Sequence, residues 1–350
     1  MDLGRDNREK IITVDERRVM AVLVTGGGLL GSLIAAKLIE RGEIPVIYDL
    51  APPMDHLKTV LDLNKVKIVR ADILDMPDLI DAIKKEGIDC IVHTAGLLLS
   101  GVRARPYAGV KINIMGTLNV LEAARILGIR RVVFLSTGLV QASALDVDAG
   151  EQPNEDFTMK FISQRPRSLY AITKITGEFL GLSYFDLYGV DFVGLRIGSV
   201  FGPWKGVTSG LPGRFIDQFV KRAVAGKPPL IDATFLTYKG GMEFVYAKDC
   251  ANAAVLACYR DKSKLETRIY RISGKGMYTF REMVDLIEKI FPKIKVPMEE
   301  IAKGTTSILP GASDQTYNSS RAQNELGYVP QYDLEEAIKD YADWLRHYYL

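Results

Sequence analysis

The chain has 350 residues, with 45 lysines and arginines against 43 aspartates and glutamates, and its formal net charge is +2. This balance gives no basis for binding nucleic acid or an anionic membrane surface, while 47% apolar residues are enough to form the core of one large domain or two. The three cysteines, Cys90, Cys250 and Cys258, show no metal-site or redox spacing, which predicts buried thiols, a reducing and therefore cytoplasmic compartment, and no metal.

The N-terminal residues 1–19 mix acids and bases and are expected to form a polar extension. The following segment, 20–36, carries no charge and approaches the ~17–25 residues of a membrane span. Its internal glycines and its strand-then-helix pattern argue against a membrane helix.

A glycine-rich turn follows the first predicted strand. The strand is the apolar run 20–24, and Gly26, Gly28 and Gly31 come next in the spacing G-x-G-x-x-G, ahead of a helical pattern of leucines. This order directs backbone N–H groups and the positive end of a helix dipole at one point, where a phosphate binds well. A Cβ at these positions would block the turn or the approach of a diphosphate. The turn therefore predicts a dinucleotide site.

The second predicted strand, 44–48, ends at Asp49, about the ~20-residue distance at which an acid hydrogen-bonds the adenosine ribose. The alternative for Asp49 is a solvated loop acid or a helix cap. Because a carboxylate would repel a 2′-phosphate, the expected cofactor is NAD rather than NADP.

Strands and helices continue to alternate up to residue 202. Predicted strands at 66–69, 90–93, 131–135 and 192–195 are separated by helices at 77–85, 112–127 and 169–188. This alternation predicts an α/β fold with a doubly wound parallel sheet, the Rossmann fold. Ligands bind such sheets beyond the carboxyl ends of the strands.

A Gly- and Pro-rich loop at 203–213 marks a change of pattern. Beyond it we expect helices at 215–225, 251–259, 279–290 and 334–345 and a strand at 242–246. The sequence thus predicts an NAD-binding domain over 20–202, joined by about 236–262, and a smaller C-terminal α/β substrate lobe formed by 203–235 and 263–350.

Tyr170 and Lys174 are four residues apart in a predicted helix and share one face. An ammonium group near a phenol lowers the phenol pKa, so that the phenol can exchange a proton with an alcohol or ketone near neutral pH. Thr137, at the end of the 131–135 strand, places a hydroxyl where it could polarise the substrate oxygen. The alternative for Thr137 is a turn hydroxyl that bonds its own backbone.

From residue 20 onward the chain resembles the extended short-chain dehydrogenase/reductase family, also called the NAD-dependent epimerase/dehydratase family. The resemblance is carried by the glycine turn, Asp49, and the segments 71–73, 93–96, 113–124, 136–137, 170–178, 195–203, 244–249 and 320–330.

This resemblance implies that Tyr170 is the general acid/base, that Lys174 binds the nicotinamide ribose and tunes Tyr170, and that Thr137 bonds the reacting oxygen. It implies further cofactor contacts, namely Leu29, Leu30, Asp72, Ile73, Ala95, Gly96, Asn113, Ser136 and Ile197. It also implies a homodimer built on helices at 107–127 and 169–188; the alternative is that these faces pack on the sheet.

Four positions depart from the family pattern. The glycine turn is one residue shorter than the usual G-x-x-G-x-x-G, and Gly138-Leu139 follows Thr137 where dehydratases carry Asp-Glu. Ser199 and Met242 stand where members that act on nucleotide sugars usually carry Asn and Arg. Losing a guanidinium removes a bidentate contact to a diphosphate.

We therefore expect NAD-dependent hydride transfer at a secondary alcohol or ketone of a small polar substrate, such as a sugar acid or hydroxy acid. The expected substrate contacts are Thr137, Ser199, Thr208, Ser209 and Arg214. One alternative is a nucleotide-sugar epimerase that retains NAD. Another, from a different class, is a non-catalytic dinucleotide-binding sensor.

Overall fold

A computed structural model describes residues 19–142, 155, 168–206, 211–229, 242–296 and 318–349. The strands are β1 (Ala21–Thr25), β2 (Ile44–Asp49), β3 (Lys67–Arg70), β4 (Cys90–His93), β5 (Arg131–Thr137), β6 (Phe192–Ile197), β7 (Ser199–Phe201), β8 (Met242–Tyr246), β9 (Ile269–Ile272) and β10 (Met277–Tyr278). The α-helices are α1 (Leu29–Glu40), α2 (Met54–Val60), α3 (Met76–Glu86), α4 (Leu99–Ala104), α5 (Pro106–Val110), α6 (Gly116–Leu127), α7 (Leu139–Ala142), α8 (Leu169–Tyr188), α9 (Leu211–Val224), α10 (Ala247–Tyr259), α11 (Phe280–Ile290) and α12 (Leu334–Tyr349).

Seven parallel strands form the main sheet, in the order β3-β2-β1-β4-β5-β6-β9. The central strands are apolar and buried because helices cover both faces of the sheet. The order reverses between β1 and β4, which is where such sheets open a crevice for ligands. The predicted doubly wound α/β fold is therefore confirmed.

A second, three-stranded mixed sheet has the order β10-β8-β7. It packs with α9, α11 and α12 around a separate apolar core that includes Phe215, Phe219 and Ile338. This unit is the smaller C-terminal lobe that the sequence predicts.

Strand pairing divides the chain differently from the expected domain boundaries. Residues from 263 onward are predicted to belong to the substrate lobe, but Ile269–Ile272 pairs with β6 in the main sheet. Residues 199–202 and 242–246 are predicted to belong to the cofactor domain, but β7 and β8 pair with each other in the small sheet. A short apolar strand can be buried in either sheet, and its hydrophobicity alone does not select the sheet that it joins. The strand partners are therefore not predictable from the sequence pattern.

The predicted helix at 112–127 begins as a π-helical turn at Lys111–Met115, and α6 starts at Gly116. Short helices α2, α4 and α7 lie in segments for which no element is predicted from the sequence, whereas α5 overlaps the start of the 107–127 helix that the resemblance implies. Within the described parts of the chain, every helix is too short or too polar to cross a lipid bilayer.

The glycine turn between β1 and α1 is fixed by backbone sterics. Gly26 has φ +86° and donates its N–H to the Tyr48 carbonyl oxygen at 2.8 Å. A Cβ at Gly31 would lie 1.8 Å from the Gly26 carbonyl oxygen, whereas a Cβ at Gly28 would meet no atom within 4 Å. Gly31 is therefore required by the fold, while Gly28 faces open space.

This difference predicts opposite outcomes for two alanine variants. Gly31→Ala should lower the thermal midpoint markedly, because the methyl group overlaps backbone that cannot move without opening the turn. Gly28→Ala should lower the midpoint by only a few degrees, since its methyl group meets no atom within 4 Å and replacing a glycine N-cap by alanine costs roughly 1 kcal/mol or less. Thermal unfolding by circular dichroism checks both, and equal midpoints for the two variants would contradict the steric account.

His93, the last residue of β4, is a buried histidine that links three elements. Its Nδ1 lies 2.7 Å from Thr25 Oγ1 and its Nε2 lies 3.1 Å from Thr117 Oγ1. Burial, with a smaller contribution from the Lys174 charge, lowers the pKa of His93 from 6.5 to about 3. The native protein therefore holds this ring neutral.

Acid should destabilise the fold through His93. Its native pKa of about 3 lies below the unfolded value of 6.5, so the unfolded chain binds more protons in that interval. The contribution is complete above pH 6.5 and is lost progressively as the pH falls toward 3, amounting to about 3 kcal/mol between pH 7 and pH 4. Urea unfolding at these pH values should show a shallower loss for His93→Gln than for the parent.

His56, whose pKa burial lowers to about 4, remains in both proteins and contributes equally to both pH profiles. The difference between the profiles therefore isolates His93. Parallel profiles would refute the assignment.

Candidate active site

The glycine turn is tied to the neighbouring strand β4 by two threonines. Thr94 Oγ1 donates to the carbonyl oxygens of Thr25 and Gly26, at 2.6 and 3.1 Å. Thr25 Oγ1 accepts the Ala95 N–H at 3.4 Å. The carboxyl ends of β1 and β4 are thereby joined at the point where the predicted cofactor contact Ala95 follows β4.

The start of α1 forms a cradle for an anion. Gly28 is its N-cap, and within the described chain no side chain caps the helix there. Leu29 and Leu30 are half-buried in the first turn. Uncapped N–H groups, the positive end of the dipole and the open space above Gly28 fit a diphosphate. The turn keeps this character although it is one residue shorter than the family pattern.

Asp49, at the end of β2, lies beside the cradle. Its Oδ2 accepts the Gly27 N–H and its Oδ1 accepts the Ala51 N–H, both at 2.7 Å. Each carboxylate oxygen keeps a further lone pair for a hydroxyl group. The carboxylate thus serves the loop, as the structural alternative holds, and lies beside the glycine turn.

Asp72 and Ile73 follow β3 and form the next part of this edge. The Asp72 carbonyl oxygen accepts the Tyr48 hydroxyl at 3.0 Å, and its carboxylate accepts the Leu74 N–H at 2.9 Å. The Ile73 carbonyl oxygen accepts the Asn119 amide at 3.0 Å. The backbone of the segment is therefore held firmly, and the Asp72 side chain is partly exposed.

Asn113 holds the loop that follows β4. Its Oδ1 accepts the Leu97 N–H at 2.7 Å, and its amide nitrogen donates to the Leu97 carbonyl oxygen and to Thr173 Oγ1, both at 3.0 Å. A Cβ at Gly96 would lie 3.0 Å from Asn113 Oδ1 and 3.9 Å from Lys174 Nζ. The Asn113 amide and the Lys174 ammonium group therefore both lie close to Gly96.

Lys174 joins α8 to the end of β5. Its Nζ donates to the Leu135 carbonyl oxygen at 2.8 Å and lies 4.8 Å from the centre of the Phe134 ring. Burial lowers the pKa of Lys174 to about 8, with Glu178 acting in the opposite direction. This contact brings together the two segments that carry Tyr170 and Thr137.

Tyr170 is one turn before Lys174 and is buried. Burial raises the pKa of Tyr170 to about 12, which is opposite to the lowering that the sequence pattern predicts. The reason is that loss of water disfavours the phenolate, while burial also reduces the tendency of Lys174 to carry its charge. At neutral pH the phenol in this structure is protonated.

Thr137 ends β5 opposite Ile197 of β6. Its Oγ1 accepts the Leu139 N–H at 3.2 Å, which is the turn role named as the alternative. The hydroxyl hydrogen is not used in that bond and can still be donated to a substrate oxygen. The two roles are therefore compatible.

Ser136 serves the interior rather than the crevice. Its hydroxyl donates to Glu178 Oε1 at 2.5 Å, and Glu178 forms a buried salt bridge with Arg196 at 2.7 Å. Only the backbone of Ser136 remains for the cofactor contact that the resemblance implies.

Besides Thr137, the structure describes two of the four predicted substrate contacts. Ser199 is half-buried on β7, and Arg214 is exposed on α9. Thr208 and Ser209 lie outside the described residues. In the described ranges, no three His, Cys, Asp or Glu side chains are grouped as metal ligands.

Some residues hold the site segments in place but are not among the site residues predicted from the sequence, chiefly Thr25, Thr94 and Thr173. The signal for the first two was a hydroxyl directly after an apolar strand. Arg196, a charge within the apolar strand β6, equally indicated a buried partner.

Three comparisons place this architecture among known proteins. The chain is 28% identical over 361 residues to UDP-glucuronate 4-epimerase 1 of Arabidopsis thaliana, covering 94% of this chain and 77% of that protein. A solved UDP-glucose 4-epimerase of Thermus thermophilus, in complex with NAD, superimposes with a TM-score of 0.73 at 26% identity, over 93% of this chain and 99% of that one. A GalE-like L-threonine dehydrogenase from Cupriavidus necator gives 0.73 at 23% identity, over 93% and 99%, which shows a shared fold.

The family described as the NAD dependent epimerase/dehydratase family matches residues 22–273, well over half of the chain. The glycine turn, the buried Tyr170–Lys174 helix and the sheet order agree with that match. This protein therefore belongs to the NAD-dependent epimerase/dehydratase family of enzymes.

Proposed function

We propose that this enzyme transfers a hydride at a secondary alcohol or ketone carbon of a small polar hydroxylated substrate, such as a sugar acid or hydroxy acid, with NAD as cofactor. One observation carries the proposal: the buried Lys174 Nζ bonds the Leu135 carbonyl oxygen at 2.8 Å. This bond brings Tyr170, one helical turn before Lys174, and Thr137, two residues after Leu135, to the same edge of the sheet.

NAD would be held by the chain in the cradle above Gly28. The N–H groups at the start of α1 would bind the diphosphate, and Asp49 would bind the adenosine ribose. The Asp72–Ile73 segment would face the adenine, and Lys174 would contact the nicotinamide ribose. The carboxylate of Asp49 supports NAD over NADP because it repels a 2′-phosphate.

In the reaction, Thr137 would donate a hydrogen bond to the substrate oxygen and fix its position. Tyr170 would give its proton to that oxygen in the reduction direction, for which a protonated phenol is the required form. In the oxidation direction it would act as a base, with Lys174 as the nearby cation that stabilises the phenolate. The chemistry that NAD supplies when bound is the reversible acceptance of a hydride from the carbon that bears the hydroxyl group.

A nucleotide-sugar epimerase is the second candidate, and the similarity to UDP-glucuronate 4-epimerase 1 favours it. Against it stand Ser199 and Met242 at the two positions that usually grip the diphosphate. Arg271 places a guanidinium beside Gly198, but this guanidinium is paired with Glu243 at 2.6 Å. Because its charge is already balanced, it does not replace the missing arginine contact to a diphosphate.

The reaction is tested by replacing Tyr170 with Phe. The parent enzyme with NAD should form NADH from one member of a panel of hydroxy acids, uronates, polyols and amino-alcohol acids. Tyr170→Phe should lower kcat by at least ~10²-fold, the lower end of the usual contribution of a positioned acid/base. NADH affinity, measured by fluorescence titration, should stay within about threefold of the parent, while Gly28→Ala should weaken it because its methyl group enters the cradle.

Unchanged turnover in Tyr170→Phe would contradict the assignment. Conversion of UDP-glucuronate or UDP-glucose without net NADH formation, together with a rise in thermal midpoint on adding UDP, would select the epimerase. Net NADH formation from a panel compound, with no response to UDP, would select the dehydrogenase.

We also propose that the enzyme forms a homodimer through the face made by α5, α6 and α8. This face exposes large apolar side chains, namely Tyr107, Met115, Ile126, Leu169, Phe179, Leu187 and Tyr188. Helices α6 and α8 pack side by side, and this packing supports a shared apolar face. The main sheet covers the opposite sides of α6 and α8. A second copy of the chain would bury the exposed apolar face.

Light scattering after gel filtration tests the dimer. The parent at about 20 µM should elute with twice the mass of the chain, and Phe179→Glu/Leu187→Glu should elute as a monomer, because buried unpaired carboxylates are strongly disfavoured. The matched control is Val329→Glu, which places the same charge on an exposed apolar residue elsewhere. A monomeric parent would refute the proposal, and so would a dimeric double variant.

A further inference from the structure

Arg271, on β9, occupies the space in which a side chain at position 138 would lie. A Cβ built on Gly138 would be 1.8 Å from Arg271 Nη1 and 2.7 Å from its Cζ. The Arg271 side chain is only 3% exposed, so the guanidinium has little room to move away. Gly138 directly follows Thr137, and a Cβ at position 138 would require the Arg271 guanidinium to move.

The guanidinium is held on two sides. Its Nη2 donates to Glu243 Oε2 at 2.6 Å, and Nη1 lies 3.4 Å from Gln141 Oε1. The backbone N–H of Arg271 donates to Glu155 Oε1 at 2.8 Å. A charge pair this deeply buried keeps its position because separating it leaves an unpaired charge in the interior.

The same pair reaches the strand that carries Ser199. A Cβ at Gly198 would lie 3.2 Å from Glu243 Oε2 and 3.5 Å from Arg271 Nη2. The Arg271–Glu243 pair is therefore packed between two glycines, one directly after Thr137 and one directly before Ser199. The Gly138 N–H donates to the Ile197 carbonyl oxygen at 2.7 Å, so the two segments are also joined through the backbone.

We propose that Arg271 is a positioning residue: with Glu243 it fixes the turn that carries the Thr137 hydroxyl and sets its distance from the Ser199 strand. Arg271 acts through Thr137, and in that respect the proposal rests on the proposed function. Arg271 also fills the space that a side chain at position 138 would need.

A mutant cycle between positions 138 and 271 tests the proposal. The first variant is Gly138→Ala, and the second background is Arg271→Ala/Glu243→Gln, which removes the guanidinium and leaves no unpaired charge. The fourth protein combines all three changes. Each is measured for thermal midpoint, for NADH affinity by fluorescence, and for kcat and KM with the panel compound that the parent enzyme turns over.

Gly138→Ala in the parent should lower kcat by roughly 10- to 100-fold, because a displacement of about 1 Å at a catalytic group can cost ~10²-fold. NADH affinity should change by less than about threefold, since most of the proposed cofactor contacts lie at the ends of β1, β2 and β3 rather than on this turn. In the Arg271→Ala/Glu243→Gln background, the same Gly138→Ala change should cost less than about threefold in kcat and should lower the thermal midpoint by less than it does in the parent. A residue with a purely structural role would shift the midpoint without this coupling in kcat.

Arg268→Ala is the matched control. Arg268 precedes β9 and is paired with Asp191 at 2.9 Å, at the opposite end of the sheet. It should lower stability and leave kcat unchanged. Additive effects of the two changes, in either midpoint or kcat, would overturn the proposal. If the midpoints are coupled but no panel compound reacts with the parent, the proposed function fails and the Arg271 contact stands.

Discussion

The bond from Lys174 Nζ to the Leu135 carbonyl oxygen is the contact on which the rest of the site depends. It takes a charged group into the interior, where burial lowers its pKa to about 8, and the backbone oxygen and the Phe134 ring offset part of that cost. Successive residues of a helix are rotated by about 100°, so a shift of α8 by one residue would turn Tyr170 away from Thr137. The register of α8 against β5 thus decides whether the site exists.

Buried polar and charged side chains are concentrated at the same edge of the sheet. Three register neighbours carry them: Ser136 on β5, Arg196 on β6 and Arg271 on β9. Each has a buried acid partner: Glu178 serves the first two and Glu243 the third. Ion pairs in the interior add little net stability, but breaking one is costly, so they favour a single arrangement of the strand ends. That rigidity suits an edge on which hydroxyl groups must be held in place.

The two sheets meet where the chain leaves β6. After Ile197 the chain passes through Gly198 into β7, which belongs to the small sheet, and among the described residues its next strand in the main sheet is β9. Ser199 therefore stands at the junction between the main sheet and the C-terminal lobe. A pocket at such a junction can vary with the loops of the lobe while the strand ends of the main sheet stay fixed.

The sequence by itself determined the parallel sheet, the glycine turn and the positions of Tyr170, Lys174 and Asp49, because these follow from short-range periodicity and spacing. It did not determine that Ile269–Ile272 joins the main sheet, that burial raises the pKa of Tyr170 to about 12, or that Arg271 fills the space beside Gly138. Each of these depends on groups far apart in the chain. Strand partners, loss of water and side-chain volume are set by what packs around a residue, and only the tertiary structure brings those neighbours together.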